Sequence, residues 1–365
     1  MSAVMKVRTQ HRDPSSPSSP EKTFTAVLKL YDRRFGTTLR RRVNPASRRY
    51  EPHMHTTSTE AAYCDFIRRA KLGAFLLERE KEGRSSVLPV SAWHYLDGSA
   101  EETAKYEAVK WKTCQEYFDR ETRAYEKLSE LQGKVIPRLF AHVRLSLPQD
   151  DIVPCPPGLL QRPETRQYFD VRGILMELVD GYELSELHIS PLAPSDTERW
   201  EDTIQTAVDG AHEINRRGVR MSDCSMYNVM VDKESHHPFI VDLAQCGFIE
   251  EMYEEEDGEE SGSDEEESNI DGEAQDNCGK SLVGDTASES NHQGSESGDG
   301  GSQVFEPDPE IRYWNSVMSV DNPGAIGAVM RGRLMREKGV TITPRWPDYD
   351  AIIADIRRKR EQREP

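Results

Sequence analysis

Two aspartates and one asparagine in the middle of the chain have the types and spacing needed to handle a proton and a metal ion. Asp223 is followed five residues later by Asn228, and two short strand patterns separated by a polar turn then lead to Asp242. A carboxylate can accept the proton of an attacking hydroxyl group, while an amide oxygen and a second carboxylate suit Mg²⁺. This set is typical of Mg²⁺-dependent phosphoryl transfer. The alternative is a pair of Asx turns that only closes a loop.

The segments around these residues have recognisable periodicity. A helix is predicted over 195–218, because Ser195 and Glu198 form a capping-box pattern and Gly218 can end the helix. Its apolar residues recur at helical spacing, at Trp200, Ile204, Val208 and Ala211. Upstream, the patterns predict strands over 23–31 and 171–179, a helix over 111–131 and a helical patch over 61–77.

Three upstream residues could complete a nucleotide site. Lys29 lies in the strand pattern A-V-L-K, from which a lysine can reach phosphate groups; an ordinary strand-edge lysine is the alternative. Glu121 lies in a predicted helix and could pair with that lysine, although Glu126 could serve the same role. Glu177 lies in L-M-E-L, a pattern similar to the strand that leads into an adenine-binding hinge.

Longer strings resemble a known family. A-V-L-K-L-Y-D-R-R-F, E-T-R-A-Y-E-K-L-S-E-L-Q-G-K-V-I-P-R, I-L-M-E-L-V-D-G and V-D-L-A are similar to the fungal protein-kinase-like proteins, relatives of the aminoglycoside/choline kinase-like branch. The similarity spans residues 23–248, with a weaker match at 313–334. It implies an α+β, two-lobed protein kinase-like fold. A small sheet-containing N-lobe would run to about residue 179 and a mainly helical C-lobe from about residue 180, with ATP and Mg²⁺ in the cleft between them.

The resemblance also assigns roles to residues. It implies that the catalytic base is Asp223, that the metal ligands are Asn228 and Asp242, and that the cofactor-binding residues are Lys29, Glu121 and Glu177. A protein substrate is not expected, because the residues after 302 are too few for the usual substrate-binding helices of a protein kinase.

Several departures keep a second function open. The chain has no glycine before Gly36, whereas kinases close a glycine-rich loop over the phosphates. Met221 stands where kinases have the histidine of H-R-D, and Ala244 where they have the glycine of D-F-G. The first hypothesis is ATP/Mg²⁺-dependent phosphoryl transfer to an unknown acceptor. The alternative is a pseudokinase, catalytically weak or inactive, that binds partners through its cleft and an acidic tract.

The net charge of −18 is concentrated in one stretch. Residues 250–302 hold 19 acidic residues and one lysine, so the rest of the chain is neutral. This stretch is rich in Gly and Ser and cannot bury enough surface to offset chain entropy. We therefore expect a disordered acidic insert over 249–302, with a C-terminal helical part over 303–365. Residues 1–22, which contain D-P-S-S-P-S-S-P, are also expected to be disordered.

Composition limits the partners. The acidic field would repel nucleic acid, and no apolar run approaches the ~20 residues of a membrane-spanning helix. The six cysteines form no C-x-x-C pair, which argues against a zinc knuckle or a disulfide framework. We expect a monomer in the cytoplasm or nucleus that binds a nucleotide. The acidic tract is expected to engage a basic protein partner, with a solubilising spacer as the alternative.

Overall fold

The strand that carries Lys29 forms as predicted and lies inside an antiparallel sheet. The computed structural model describes residues 2–11, 22–35, 40–43, 50–81, 99–146, 157–253 and 308–363. Its strands are β1 (Ala3–His11), β2 (Lys22–Tyr31), β3 (Arg41–Val43), β4 (Tyr50–Pro52), β5 (Leu139–Leu145), β6 (Val171–Glu177), β7 (Gly181–Glu183), β8 (Val219–Met221), β9 (Val229–Asp232), β10 (Pro238–Ile240) and β11 (Cys246–Phe248).

Helices surround these strands, so the predicted α+β class is confirmed. They are α1 (Thr57–Arg68), α2 (Lys71–Lys81), α3 (Ala100–Lys127), α4 (Pro157–Gln161), α5 (Pro163–Arg166), α6 (Glu198–Arg216), α7 (249–253), α8 (Pro309–Val320), α9 (Asn322–Lys338) and α10 (Tyr349–Glu361). Short 3₁₀ turns lie at Ser129–Leu131, Leu184–Glu186 and Met226–Asn228. None of the helices among the described residues is long and apolar enough to cross a membrane.

The main sheet has the order β1-β2-β6-β5 and is antiparallel throughout. Within it, Lys29 pairs with Val4 on one side and with Ile174 on the other. Gly173 lets β6 approach closely, since a Cβ there would lie 2.5 Å from the carbonyl oxygen of Lys29. Smaller ladders, β10-β9-β7 and β11-β8, carry the loops that contain the candidate site.

The predicted disorder of residues 1–22 is wrong for β1. Ala3–His11 pairs with β2 along its whole length, so the partner strand satisfies backbone groups that the sequence pattern treated as solvated. Strand pairing between segments is not visible in local composition. The Pro-Ser run at 13–20, on which the disorder prediction rested, lies outside the described residues.

The helical predictions are right in position but differ at their ends. The predicted capping box is wrong: Thr197 precedes α6, and the Asp196 carboxylate accepts a hydrogen bond from the Glu198 amide at 3.0 Å. Gly218 does follow the last turn, with φ of +73° and its amide bonded to the Asn215 carbonyl. The patch over 61–77 is two helices, α1 and α2, separated at Ala70, which has a left-handed φ of 56°.

Helix α3 begins three turns earlier than predicted. Ser99 caps it, and its first half buries Glu107, which pairs with Arg33 at 2.7 Å and Arg40 at 2.5 Å. Those turns read as polar in the sequence because their buried face includes charged residues that are satisfied only by distant partners. The long helix then runs along β6 and β2 and reaches β11, joining the main hydrophobic core.

The expected disorder from residue 249 is wrong for the first five residues of the acidic insert. Residues 249–253 form the short helix α7, directly after β11. Ile249 and Met252 pack against the apolar cluster of α8 and α10. Partial burial of these two apolar side chains offsets part of the entropy cost of ordering this turn. The rest of the insert, 254–302, lies outside the described residues.

The first two acids of the insert are bound to α3. Glu250 pairs with Lys127 and, at 3.2 Å, with Arg123, while Glu251 pairs with Arg120 at 2.9 Å. The Arg120 guanidinium also donates to the Cys246 carbonyl at 2.7 Å. This root of the acidic tract, Glu250 and Glu251, is therefore held by ion pairs to the C-terminal half of α3.

Two deletions should separate this root from the remainder of the tract. Removing 250–302 takes away the ion pairs with α3 and the packing of Met252, whereas removing 254–302 keeps both. We expect the first deletion to be less stable than the second by about 2 kcal/mol, because it loses a few partly exposed ion pairs and the partial burial of the Met252 side chain. Urea unfolding of both variants measures the difference, and equal free energies of unfolding would contradict the fastening role of Glu250 and Glu251.

Candidate functional site

Lys29 lies at the centre of the site, between two carboxylates. Its ammonium donates to Glu121 Oε2 at 2.6 Å and to Asp242 Oδ1 at 2.7 Å. Strand β2, helix α3 and the loop after β10 each contribute one of these three residues. Lys29 and Glu121 are buried, while the Asp242 side chain is 43% exposed. The geometry selects Glu121 over Glu126, which is exposed on the same helix.

Glu121 accepts further hydrogen bonds. The hydroxyl of Tyr31 donates to its Oε2, and the backbone amide of Leu243 donates to its Oε1 at 3.4 Å. Because residues of a strand alternate in direction, Tyr31 and Lys29 project from the same face of β2. One carboxylate thus holds two side chains of the sheet and the loop that follows Asp242.

These contacts set the charge states. Burial opposes the charge of Lys29, but Glu121 and Asp242 outweigh it and raise the pKa of Lys29 above its ordinary value. Burial raises the pKa of Glu121, although Lys29 acts in the opposite direction. The partly enclosed position of Asp242 disfavours its charge, yet Lys29 holds the pKa of Asp242 below its usual range. The site therefore presents an ionised Asp242 beside a cation.

Asp242 has an unusual backbone conformation. Its φ is 63°, in the left-handed region that residues other than glycine rarely adopt. The preceding residue, Val241, donates its amide to the Asn228 carbonyl at 2.8 Å, which places the two predicted metal ligands beside each other. A strained backbone that turns a carboxylate toward a lysine is typical of a functional site.

Asn228 connects the predicted metal side with the predicted base. Its Nδ2 donates to the Asp223 carbonyl at 2.6 Å, which leaves its Oδ1 as the atom available to a cation. Asp223 is exposed, and its Oδ2 accepts a hydrogen bond from Gln245 Nε2 at 3.0 Å. Lys29, Glu121, Asn228 and Asp242 are thus contiguous, and Asp223 adjoins them through Asn228.

The loop that carries Asp223 is also held from the C-terminal part of the chain. Asn322, at the start of α9, is fully buried and bonds both backbone groups of Met221. Its Oδ1 accepts from the Met221 amide at 3.2 Å, and its Nδ2 donates to the Met221 carbonyl at 2.6 Å. The segment after the acidic tract therefore supports the loop two residues before Asp223.

An open cleft of about 290 Å³ adjoins the charged residues. Its apolar walls come from β1, β2, β6, β9 and the chain after β6, and Lys29, Asn228 and Asp242 lie at its polar end. The lining residues are Val4, Val27, Lys29, Pro137, Met176, Glu177, Leu178, Val179, Asn228, Met230, Val241 and Asp242. An apolar slot with convergent charges at one end suits a ligand that has a flat ring and an anionic tail.

Glu177 lies in the cleft wall, but its side chain has a structural partner. Its carboxylate accepts from the Arg138 amide at 3.0 Å and from the Arg138 guanidinium at 2.6 Å. The β2 ladder ends at Glu177, and Leu178 and Val179 continue along the cleft. The backbone of this stretch, rather than the Glu177 carboxylate, is the part suited to meet the edge of a bound base.

Three residues of the site were missed by the sequence reasoning. Tyr31 had a usable signal, because strand alternation places it on the same face as Lys29. Gln245 and Asn322 had none, since each acts through a partner that only the folded chain brings near. The sequence pattern identified Asp223, Asn228 and Asp242, but not the side-chain amides of Gln245 and Asn322 that hold the Asp223 loop.

The donor set fits Mg²⁺ better than a metal that needs an all-protein cage. Among the described residues, no three His, Cys, Asp or Glu side chains are grouped as a metal site. Asp242 and Asn228 together offer one carboxylate and one amide oxygen. Mg²⁺ is commonly held by one or two carboxylates with phosphates and water completing the shell.

No protein-family model matches the chain, and no curated protein matches it. What the chain does is therefore inferred from the residues of the site.

Neutralising Glu121 should destabilise the fold, because it leaves the buried Lys29 with one carboxylate instead of two. We expect Glu121→Gln to lower the free energy of unfolding by about 3 kcal/mol. The matched control is Glu126→Gln on the same helix, which should change it by less than about 0.5 kcal/mol. Urea unfolding measures both variants. Equal effects would mean that the ion pair with Lys29 does not support the structure.

Proposed function

We propose that this chain is a kinase-like protein with two lobes that binds ATP with Mg²⁺ and transfers the γ-phosphoryl group to a hydroxyl acceptor. The observation that carries the proposal is the simultaneous pairing of Lys29 with Glu121 and Asp242. In protein kinases, phosphoryl transfer uses a lysine held by a helix glutamate, with a metal-binding aspartate beside it. The set also lies at the polar end of an open cleft, where a ligand can reach it.

Each part of a nucleotide has a suitable partner in the cleft. The adenine ring would fit between apolar side chains such as Val27, Met230 and Val241, with the backbone of Leu178 along its edge. The phosphates would meet Lys29. Mg²⁺, held by Asp242 and Asn228 Oδ1, would supply charge neutralisation for the phosphate oxygens.

Asp223 is suited to handle the proton. As the acceptor oxygen forms its bond to the γ-phosphorus, the bond from phosphorus to the bridging oxygen breaks and ADP leaves with the electron pair. The proton lost by the acceptor hydroxyl passes to the Asp223 carboxylate, which is exposed and within the loop that also holds Asn228. Because Asp223 is exposed, the protein surface around it determines which acceptor molecule can bind beside it.

One observation favours the pseudokinase alternative. Strands β1 and β2 form a hairpin beside the cleft, where kinases cover the phosphates, but the chain that joins them is R-D-P-S-S-P-S-S-P-E and holds no glycine. Without close backbone approach, nucleotide would bind weakly. The cleft and the acidic tract would then serve as binding surfaces only.

Nucleotide binding should appear as thermal stabilisation. A ligand that binds only the folded chain stabilises it by about 2.7 kcal/mol at a hundredfold excess over Kd. We expect Mg²⁺-ATP to raise Tm, and Asp242→Asn to abolish the shift because it removes the charged metal ligand. Asp202→Asn, an exposed aspartate on α6, is the matched control and should keep the shift.

The two functions separate in the same experiment. A Tm shift accompanied by release of ADP supports phosphoryl transfer, whereas a shift without turnover favours the pseudokinase. The absence of any shift at millimolar Mg²⁺-ATP would contradict nucleotide binding in this cleft.

A further inference from the structure

Gln245 makes two hydrogen bonds to the loop that carries the proposed base. Its side-chain Nε2 donates to Asp223 Oδ2 at 3.0 Å, and its backbone carbonyl accepts from the Ser222 amide at 2.7 Å. Gln245 stands three residues after Asp242, so it belongs to the same turn as the proposed metal ligand. One short segment therefore touches both the metal side and the proton side of the site.

We propose that Gln245 is a positioning residue for the Asp223 carboxylate. This inference rests on the proposed function of Asp223 as the base. Because the bond engages Oδ2, Oδ1 is the oxygen that remains to receive the proton of the acceptor. Asp223 is exposed, and an exposed carboxylate without a partner would sample several rotamers.

The backbone and the side chain of Asp223 are held by different residues. Asn228 donates to the Asp223 carbonyl at 2.6 Å and fixes the main chain, whereas Gln245 fixes the rotation of the carboxylate. The backbone at Gln245 is itself held in place, because the next residue, Cys246, pairs with Met221 in the β11-β8 ladder. Asn322 binds Met221 from the opposite side.

The chemistry of an amide suits this position. A lysine or arginine in the same place would form an ion pair with Asp223 and weaken its ability to take up a proton. An uncharged amide donor orients the carboxylate and leaves its charge in place. Gln245 therefore holds the base in one orientation without neutralising it.

The test replaces the donor while keeping the length of the side chain. Gln245→Met removes the hydrogen bond, and Gln245→Glu places a second carboxylate against Asp223. The matched control is Gln205→Met on α6, because Gln205 Nε2 also donates to an aspartate, Asp209 Oδ1 at 2.8 Å; Gln205 bonds the Arg345 backbone as well, so the control removes at least as many hydrogen bonds as Gln245→Met. The full chain is used, with Mg²⁺-ATP as the probe and water as the acceptor.

A positioning role predicts a split between turnover and binding. Gln245→Met should lower kcat for ATP hydrolysis about tenfold, part of the contribution of a general base, and Gln245→Glu should lower it further. The Kd for Mg²⁺-ATP should change less than twofold in both. An unchanged kcat in Gln245→Met, or a fall matched by weaker nucleotide binding or by the Gln205→Met control, would overturn the proposal.

Hydrogen exchange gives a second readout that does not depend on turnover. Gln245→Met should raise amide exchange over residues 222–228, whereas Gln205→Met should leave it unchanged. If the parent chain hydrolyses no ATP, the proposed phosphoryl transfer fails, and this exchange result alone decides whether Gln245 holds the Asp223 loop. Equal exchange in the parent and Gln245→Met would overturn the positioning role.

Discussion

A buried ammonium group with two carboxylate partners constrains the rest of the molecule. Lys29 can remain ionised away from water only while Glu121 and Asp242 face it. Glu121 can do so only if α3 lies along β2, and Asp242 only if its backbone takes the left-handed turn. The ion pairs of Lys29 therefore require three features at once. These are the order of the main sheet, the course of α3 and the strained backbone after β10.

Local patterns in the sequence were sufficient for elements whose stability is local. The strand of Lys29, the strand that ends at Glu177 and the helix closed by Gly218 all appear where periodicity predicted them, although the second strand is two residues shorter than predicted and the helix starts without its predicted capping box. The spacing of Asp223, Asn228 and Asp242 also singled out residues that prove to be neighbours. Short-range sequence rules carry this information because turns and strand alternation fix nearby side chains relative to one another.

Features that depend on distant partners could not be predicted in this way. Strand β1 is stabilised by its pairing with β2. The first turns of α3 have a polar sequence that hides a buried face, because the buried Glu107 is paired with Arg33 and Arg40 inside the fold. Asn322 and its partner Met221 are 101 residues apart in the sequence, with the acidic tract between them, so no local pattern indicates their contact. The choice of Glu121 over Glu126 likewise required the three-dimensional position of Lys29.

The proposed function requires that Lys29, Asn228 and Asp242 form a nucleotide and metal site. A crystal structure of the full chain with Mg²⁺ and a non-hydrolysable ATP analogue tests it directly. We expect the metal at ~2.1 Å from the Asp242 carboxylate and from Asn228 Oδ1, with Lys29 against the phosphates. A nucleotide bound outside the cleft, or an Asp242 that contacts only Lys29 while the nucleotide is bound, would contradict the account.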